Sequence, residues 1–183
     1  MPSSRYALVA YVKDPVAEFI KKIRQELHPD LPHLAAHVTV LPPCRLLEGE
    51  DAAVSAVSEV CREVEPFEMR LGEVETFIPV TPTVFIRVVH AYRMRQLHDQ
   101  LAAQRAFALE ADWPYLPHLT IVKMSSEAQA QEAYRLAQHR WKEQDGGRCI
   151  QVKELTFVRE LEDSTWVDVA VVALHGVASE DGR

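Results

Sequence analysis

The sequence lacks an excess of basic residues. It holds 20 lysines and arginines against 27 aspartates and glutamates, and its formal net charge is −7 at pH 7. Because long nucleic acids are bound largely through their phosphates, this balance argues against a general binder of duplex DNA or long RNA. A small anionic substrate remains compatible with it, since a pocket can be locally positive on an acidic protein.

Cysteines and long apolar segments are also scarce. Cys44, Cys61 and Cys149 are odd in number and show no CxxC spacing, which predicts reduced thiols rather than a disulfide framework or a thiolate zinc site. The apolar run over residues 6–12 is too short for a signal peptide, and no run approaches the length of a membrane span. We therefore expect a cytoplasmic protein that does not enter a membrane.

What the sequence does contain is enough apolar material for one globular domain, with 48% hydrophobic residues in a chain of 183. Alternating apolar positions predict strands, and apolar positions with helical spacing predict amphipathic helices. The strands are expected at residues 6–12, 37–41, 67–71, 83–89, 118–122, 150–158 and 165–174. The helices are expected at about residues 16–27, 53–64, 91–108 and 130–141.

The order of these elements is repeated along the chain. Strand, helix, short strand, helix and strand follow one another twice, with offsets of 78, 81 and 83 residues between matching positions. The matched pairs are Leu8–Ile86, His37–His118 and Met69–Val152. A nearly constant offset predicts an internal duplication.

This duplication predicts an α+β class. We expect a bilobal fold in which two mostly antiparallel sheets face a central cleft and helices cover the outer faces. The repeat units are roughly residues 6–75 and 83–158, with intertwined lobes forming a single domain over residues 1–183. The remaining strand, 165–174, is expected to complete a sheet by pairing back across the molecule, and the polar tail, 177–183, to be flexible.

A His-x-Thr sequence occurs at the same place in both halves. It reads HVTV at residues 37–40 and HLTI at residues 118–121. About 0.3 such pairs are expected by chance in a chain of this composition, so two copies in matching strands favour a shared site over two unrelated strands. Since side chains alternate along a strand, each histidine shares a face with its threonine.

Two imidazoles and two hydroxyls around one cleft suit phosphodiester chemistry. One neutral histidine can activate water, and a second, protonated histidine can protonate the leaving oxygen. Threonine hydroxyls can hold the phosphate oxygens. We predict His37 and His118 as catalytic residues and Thr39 and Thr120 as phosphate-binding residues, with no metal required.

The two motifs resemble the paired motifs of the 2H phosphoesterase superfamily. That group includes bacterial RNA 2′,3′-cyclic phosphodiesterases, which are also called 2′-5′ RNA ligases. The resemblance implies a bilobal duplicated fold, catalysis without metal or cofactor, and a substrate with a cyclic or 2′-5′ phosphate on an RNA end or a small nucleotide. It also implies the roles given above for the histidines and threonines.

The flanks of the motifs depart from the superfamily. Many members have an aromatic residue and a glycine after the first motif, where this chain has Leu41-Pro42-Pro43. A basic residue is common after the second motif, and Lys123 is the candidate here. Strict strand alternation predicts Lys123 on the face opposite His118, unless the strand twists or ends.

Other readings remain open at this point. The chain could be a non-catalytic module that binds phosphorylated RNA ends or nucleotides. It could also be a metal-dependent hydrolase that uses His28, His33 and His37, although Pro29 and Pro32 break any helix between these histidines.

Several further side chains have two possible roles. Trp113 and Tyr115 could stack on a base or anchor their loop, and Arg87 and Arg159 could face the cleft or lie at a strand edge. His90 and His98 are expected at the surface. The oligomeric state is not indicated.

Overall fold

The computed structural model describes residues 4–28, 34–110 and 113–176. Within these ranges the chain forms nine strands and four helices. The strands are β1 (Tyr6–Tyr11), β2 (His37–Leu46), β3 (Phe67–Thr76), β4 (Thr83–Val89), β5 (Phe107–Ala108), β6 (His118–Lys123), β7 (Cys149–Val152), β8 (Glu154–Glu160) and β9 (Trp166–Ala173). The helices are α1 (Val16–Leu27), α2 (Glu50–Arg62), α3 (Tyr92–Ala102) and α4 (Glu127–Glu143).

All described strand pairs are antiparallel, and the predicted α+β class is confirmed. The strand order is β7-β3-β4-β6-β2-β1-β8-β9, with β5 paired to β2. The two expected sheets are thus joined into one, because β2 and β6 meet at the pair Val38–Leu119.

The sheet is strongly curled. β7 lies at one end of the strand order and β8 next to the other end, yet only Lys153 separates them along the chain. Because successive Cα atoms are about 3.8 Å apart, the last residue of β7 and the first of β8 are within about 8 Å of each other. The two halves of the sheet therefore curve toward each other and enclose a cleft.

The helices pack against the face of the sheet that is turned away from this cleft. In α1 the apolar stripe that predicted the helix is buried, including Ile20 and Ile23. The helices cross between the halves, since α1 contacts β6 and α3 contacts β2. Sheet residues on this face, such as Leu8 and Val38, are fully buried in one continuous core. Burial of this face fixes which side chains point into the cleft.

Trp141 anchors the longest helix, α4, to the sheet. Its side chain is fully buried, and its indole Nε1–H donates to the carbonyl of Gly72 at 2.8 Å. A Cβ atom at Gly72 would lie 2.6 Å from the Cγ1 methyl of Val89 on β4, so a larger residue here would have to displace that side chain. The indole and the glycine together fix the position of α4 on β3.

The third helix is shorter than predicted. It ends at Ala102, because the next positions of its stripe, Gln104 and Arg105, are polar and give no apolar face to bury. Phe107 instead pairs with Leu46 in the short strand β5.

The strand expected over residues 150–158 is in fact two strands, and this corrects part of the repeat pattern. β7 pairs with β3 in the register Phe67–Val152, whereas β8 pairs with β1 and β9. The offset from Met69 to Val152 therefore joins neighbouring strands and does not relate equivalent ones. The last strand, β9, is also not paired across the molecule, because it forms a hairpin with β8.

Counted outward from the centre of the sheet, the strands are β6, β4 and β3 on one side and β2, β1 and β8 on the other. A pseudo-two-fold relation between halves would give this order, and the duplication itself stays a prediction. None of the helices in the described ranges is long and apolar enough to span a bilayer. The tail, 177–183, lies outside the described residues.

Trp141 provides a test of this packing. We expect Trp141→Ala to lower the free energy of unfolding by about 3–5 kcal/mol, because it leaves a large cavity and removes the shorter of the two hydrogen bonds to the Gly72 carbonyl, the other being from Arg148. Urea unfolding followed by circular dichroism measures the change. Trp113→Ala is the matched control, since Trp113 is 77% exposed, and its effect should stay within about 0.5 kcal/mol. Equal effects of the two variants would contradict the role of Trp141.

Candidate active site

The four side chains of the two motifs lie on one face of the sheet. They are His37, Thr39, His118 and Thr120. The register that pairs Val38 with Leu119 puts these two residues side by side on the opposite face, where both are fully buried. Because faces alternate along each strand, the motif side chains then lie together on the cleft side. All four are partly buried, and the structure thus brings the predicted site residues together.

Both histidines are held in the same orientation by the backbone two residues before them. His37 Nδ1 lies 2.8 Å from the carbonyl oxygen of Ala35, and His118 Nδ1 lies 2.7 Å from that of Leu116. A carbonyl oxygen only accepts hydrogen bonds, so Nδ1 carries the proton in both rings. Nε2 is left to accept or donate a proton in the cleft.

The electrostatic surroundings favour neutral imidazoles. Burial lowers the pKa of His37, and the nearby charges of Arg24 and His118 lower it further, against a rise from the Ala35 carbonyl. Burial also lowers the pKa of His118, against a rise from the Leu116 carbonyl.

Each motif strand carries a β-bulge just after its threonine. In β2, Val40 is the extra residue, because Thr39 pairs with Val9 but Leu41 pairs with Leu8. In β6, the register against β4 skips one residue between Thr120 and Val122 in the same way. Both bulges turn two successive residues into the core and then reverse the alternation.

The second bulge corrects the prediction for Lys123. Lys123 pairs with Thr83, and Thr120 pairs with Phe85, which lies two residues along β4 on the same face. Lys123 is therefore on the same face as Thr120 and not on the opposite one, and it is exposed. Strict alternation failed here because the extra residue, Ile121, shifts the phase of the strand.

One side of the cleft forms an apolar cavity beside His37. The cavity has a volume of about 360 Å³, and small side chains from β1 and β8 form its floor. Trp166 packs against them as a side wall, and Pro43 lines the cavity too. At its rim, Tyr11 packs edge-on against His37, and its hydroxyl donates a hydrogen bond of 2.6 Å to the carboxylate of Asp168. A flat apolar group can be held here next to the first motif.

The other side of the cleft, around His118, is aromatic and charged. The His118 ring packs edge-on against Phe77 and Phe85, with ring centroids 5.0 and 5.2 Å away. Arg87 pairs with His118 in the β4–β6 register, and its guanidinium forms two hydrogen bonds, of 2.6 and 2.7 Å, to the carboxylate of Glu75. Arg87 thus lies on the cleft face, with its charge compensated by Glu75.

Arg159 does not face the cleft. It is on the opposite face, where its Nη1 donates to Glu50 at the start of α2 at 2.6 Å. Tyr115 anchors its loop, since its hydroxyl donates to the Thr39 carbonyl at 2.8 Å and its ring stacks on His98. His98 is therefore not a simple surface residue; its Nδ1 also lies 2.7 Å from the Val40 carbonyl. The structure gives Trp113 no such partner within the described ranges, and it is largely exposed.

Arg24 is a residue of the site that the sequence pattern missed. It extends from α1 and donates to the carbonyls of Leu34, Thr120 and Ile121 at 2.5, 2.8 and 2.7 Å. A signal was present in the sequence, because Arg24 lies four residues after Ile20 and so falls within the apolar stripe of α1. A charged residue in such a stripe must reach buried polar partners. His98 occupies a similar place in the apolar stripe of α3.

The alternative metal site would use His28, His33 and His37. His33 lies outside the described residues. Over the described parts of the chain, no three histidine, cysteine, aspartate or glutamate side chains come together as metal ligands would.

Comparison with known proteins assigns the family. A model of the 2′-5′ RNA ligase superfamily matches residues 12–164. The chain belongs to the 2′-5′ RNA ligase superfamily. The match covers most of the chain, and it confirms the resemblance to 2H phosphoesterases drawn from the two motifs.

Curated relatives and solved structures agree with this family. The protein named "Putative phosphoesterase BH1439" from Halalkalibacterium halodurans is 28% identical over 117 residues, or 63% of this chain and 68% of the relative. The Thermus thermophilus protein TT0787 superposes with a TM-score of 0.67 at 16% identity, covering 94% and 98% of the two chains. E. coli LigT complexed with 3′-AMP gives a TM-score of 0.66 at 17% identity, covering 93% and 98%. These structures share the fold, and the superfamily supports a phosphoesterase activity.

The buried histidines should make the fold sensitive to acid. In the unfolded chain a histidine takes up a proton near pH 6.5, whereas burial lowers the pKa of His37 and His118 in the folded state. Above pH 6.5 the histidines are neutral in both states, and their neutral burial contributes fully to stability. As the pH falls through 6.5 the unfolded state binds protons first, so this contribution decreases and is lost by the time the pH reaches the lower pKa values of the folded state. We expect the Tm to fall between pH 7 and pH 5.

The source of this pH dependence can be tested by substitution. The double variant His37→Gln, His118→Gln should flatten the fall in Tm, measured by differential scanning calorimetry. His139→Gln is the control, because His139 is exposed on α4 and should leave the slope unchanged. An unchanged slope in the double variant would show that other groups cause the acid sensitivity.

Proposed function

We propose that the protein is a phosphodiesterase that hydrolyses 2′,3′-cyclic or related 2′-5′ phosphate linkages of RNA ends or small nucleotides, using His37 and His118 as an acid–base pair. The observation that carries this proposal is the matched orientation of the two imidazoles. Both have Nδ1 bound to a carbonyl oxygen, at 2.8 and 2.7 Å, on strands whose motif side chains share the cleft face. Two such nitrogens can act on opposite sides of one phosphate.

The reaction needs one imidazole in each protonation state. The neutral histidine takes a proton from water while the water oxygen bonds to phosphorus. The bond from phosphorus to the ribose oxygen breaks, and the protonated histidine gives that oxygen its proton. The product is a phosphomonoester, and exchange with solvent returns both histidines to their starting states.

The remaining polar groups of the cleft suit the charge of the phosphate. Thr39 and Thr120 carry hydroxyls on the same face as the histidines, where they can donate to the non-bridging oxygens as negative charge develops. Lys123 follows Thr120 on that face and is exposed, so its ammonium can reach a bound phosphate. Arg87, the nearby cation on β4, is already paired with Glu75.

The size and chemistry of the cavity support a nucleotide substrate. Its volume of about 360 Å³ and apolar floor suit a ligand of nucleoside size placed next to His37 and Thr39. LigT, which shares this fold, has been crystallised in complexes with 3′-AMP, ATP and NADP+.

The histidines are tested by substitution. We expect His37→Ala and His118→Ala each to lower kcat/KM by about 10³-fold or more on 2′,3′-cyclic nucleotides. Thr39→Ala and Thr120→Ala should lose less, about 10- to 100-fold, because each removes only one hydrogen bond to the phosphate. His139→Ala is the control and should retain full activity. Full activity of either motif-histidine variant would rule the mechanism out.

The substrate class needs a wider assay. Wild type is incubated with 2′,3′-cyclic mononucleotides and with oligoribonucleotides that end in a cyclic phosphate, with and without a chelator. Mass spectrometry should find products heavier by one water, in equal amounts under both conditions. Binding without product would instead indicate a non-catalytic module, and loss of turnover with chelator would indicate a metal-dependent hydrolase.

The contribution of Lys123 is tested separately. We expect Lys123→Ala to raise KM by about three- to tenfold with little change in kcat, because a partly exposed cation attracts the phosphate in both the ground and transition states. Lys142→Ala, on the exposed surface of α4, is the control. Equal KM values for the two variants would place Lys123 outside the phosphate site.

A further inference from the structure

A second cavity lies at the cleft face of the sheet, at a place that neither motif lines. The pairing of β1 with β8 ends at Val9–Thr156, and beyond this point the end of β1 faces β7 across an opening in the curled sheet. The opening holds a cavity of about 290 Å³, which we call the slot. Ala10, Tyr11 and the loop after them line one side, and β7 with the start of β8 lines the other. The hydrolysis proposed above does not use the slot.

Thr156 presents a hydroxyl to the slot. Its side chain lies on the cleft face, because Thr156 pairs with Val9, and the residue is only 3% exposed. Its hydroxyl forms no hydrogen bond with a described residue. Every enclosed side-chain polar atom of the described residues does have a partner, so the Thr156 hydroxyl is not enclosed but is reached from the slot, the cavity that Thr156 lines. A free hydroxyl at an otherwise buried strand position indicates a ligand.

The slot lies beside the phosphate site. Val9 pairs with Thr39 on one side and with Thr156 on the other, so the three residues form one row across the cleft face. Because neighbouring strands are about 4.8 Å apart, Thr156 lies about 10 Å from Thr39 along this row. A ligand held by the motif threonine can therefore extend over one strand and enter the slot.

Tyr11 separates the slot from the apolar cavity beside His37, since it lines both. Its ring is fixed by two contacts: it packs edge-on against His37, and its hydroxyl donates to Asp168. An aromatic ring that is already immobilised loses little freedom when a base stacks on it. The two cavities thus share one fixed aromatic side chain as a wall.

The backbone of Tyr11 adds a hydrogen-bond donor and an acceptor. The Val12 N–H points to β2, where it donates to the Ala36 carbonyl at 2.9 Å. Since backbone groups alternate in direction along a strand, the N–H and the carbonyl of Tyr11 point away from β2 and toward the slot. β8 no longer pairs with β1 at this position, so these groups face the slot rather than a neighbouring strand.

The charges around the slot are balanced, which identifies the kind of ligand that it suits. Lys13 and Lys153 line it together with Asp14 and Glu154. An anion such as a second phosphate meets as much repulsion as attraction from these four side chains. A neutral group with donors and acceptors of its own finds partners for both, and a nucleobase is such a group.

We propose that the slot is a second nucleoside subsite, which binds the nucleoside preceding the cyclic-phosphate nucleotide of an RNA end or a dinucleotide. This inference rests on the phosphodiesterase function proposed above, and it selects substrates of at least two nucleotides over mononucleotides. The terminal nucleoside lies in the apolar cavity beside His37, and its phosphate lies between the motifs. The preceding base enters the slot past Tyr11, where the Thr156 hydroxyl and the Tyr11 backbone bind its edge.

Binding is measured first, without turnover. The ligands are a mononucleotide and a dinucleotide that both end in a 3′-phosphate, a kind of end that hydrolysis would leave, and isothermal titration calorimetry gives each Kd. We expect the dinucleotide to bind at least about tenfold more tightly, because a base in the slot gains stacking and hydrogen bonds. Equal Kd values would overturn the proposal.

A dinucleotide whose first nucleotide lacks its base is the matched control ligand. It keeps the linking phosphate and the first ribose but cannot place a base in the slot, so we expect its Kd to return to that of the mononucleotide. Binding as tight as that of the complete dinucleotide would show that the linking phosphate causes the gain, and would contradict the proposed subsite.

Thr156→Val separates ligand recognition from folding. Valine has the shape of threonine and suits a buried strand position, so we expect an unchanged or higher Tm. The same change should weaken dinucleotide binding by about three- to tenfold, since the base loses a hydrogen-bond partner. Ser58→Ala removes a hydroxyl from α2, on the opposite face of the sheet, and as the control it should change neither Kd. A lower Tm together with equal losses for both ligands would indicate a merely structural hydroxyl and would contradict the assignment.

Turnover then distinguishes this proposal from the function on which it rests. On cyclic-phosphate substrates, kcat/KM should favour the dinucleotide over the mononucleotide by about tenfold, and Thr156→Val should reduce this preference. Turnover of both substrates at equal kcat/KM would overturn the slot as a subsite and leave the phosphodiesterase function intact. Turnover of neither, with tighter binding of the dinucleotide, would overturn the function and leave the subsite intact.

Discussion

The site depends on one contact between strands, the pair Val38–Leu119 at the centre of the sheet. It is the only residue pair through which β2 and β6 are joined in the described structure, and it sets the two motifs side by side. Beyond this pair the strands diverge, and their inner carbonyls need other donors. A buried carbonyl without a partner costs about 1–3 kcal/mol, so the donors that reach into the gap are part of the architecture of the cleft.

This requirement explains why the helices cross between the halves. α1, which follows β1, brings Arg24 to β6, and α3, which follows β4, brings His98 to β2. Each half thus completes the backbone of the other half's motif strand. The helices thus supply hydrogen bonds to β2 and β6 where the two strands no longer pair with each other.

Much of the fold and the core of the candidate site could be predicted from local patterns. Alternation and helical spacing located the strands and helices, and the repeated His-x-Thr located the side chains that share the cleft face. The role of Arg24 was not predicted, because the amphipathic pattern of α1 is defined by its apolar residues and a single charged residue among them does not change it. The break at Lys153 left a signal in the sequence that the prediction of one strand overlooked. Apolar residues alternate at positions 150 and 152, two polar residues follow, and the alternation resumes out of phase at positions 155 and 157. β7 and β8 accordingly pair with different neighbours.

The bulges at Val40 and Ile121 each shift the alternation of side chains along their motif strand by one residue, and β2 has a second register shift between Leu41 and Cys44. Without the bulges, strict alternation of the same sequence would turn Leu41 and Val122 out of the core and would bring Pro42 and Lys123 into it. The number of residues in these strands is therefore as tightly constrained as their chemistry. In these strands single substitutions are tolerated more easily than a residue inserted into or deleted from a regular stretch, because such a change exchanges the inner and outer faces of the positions after it, up to the next bulge or the end of the strand.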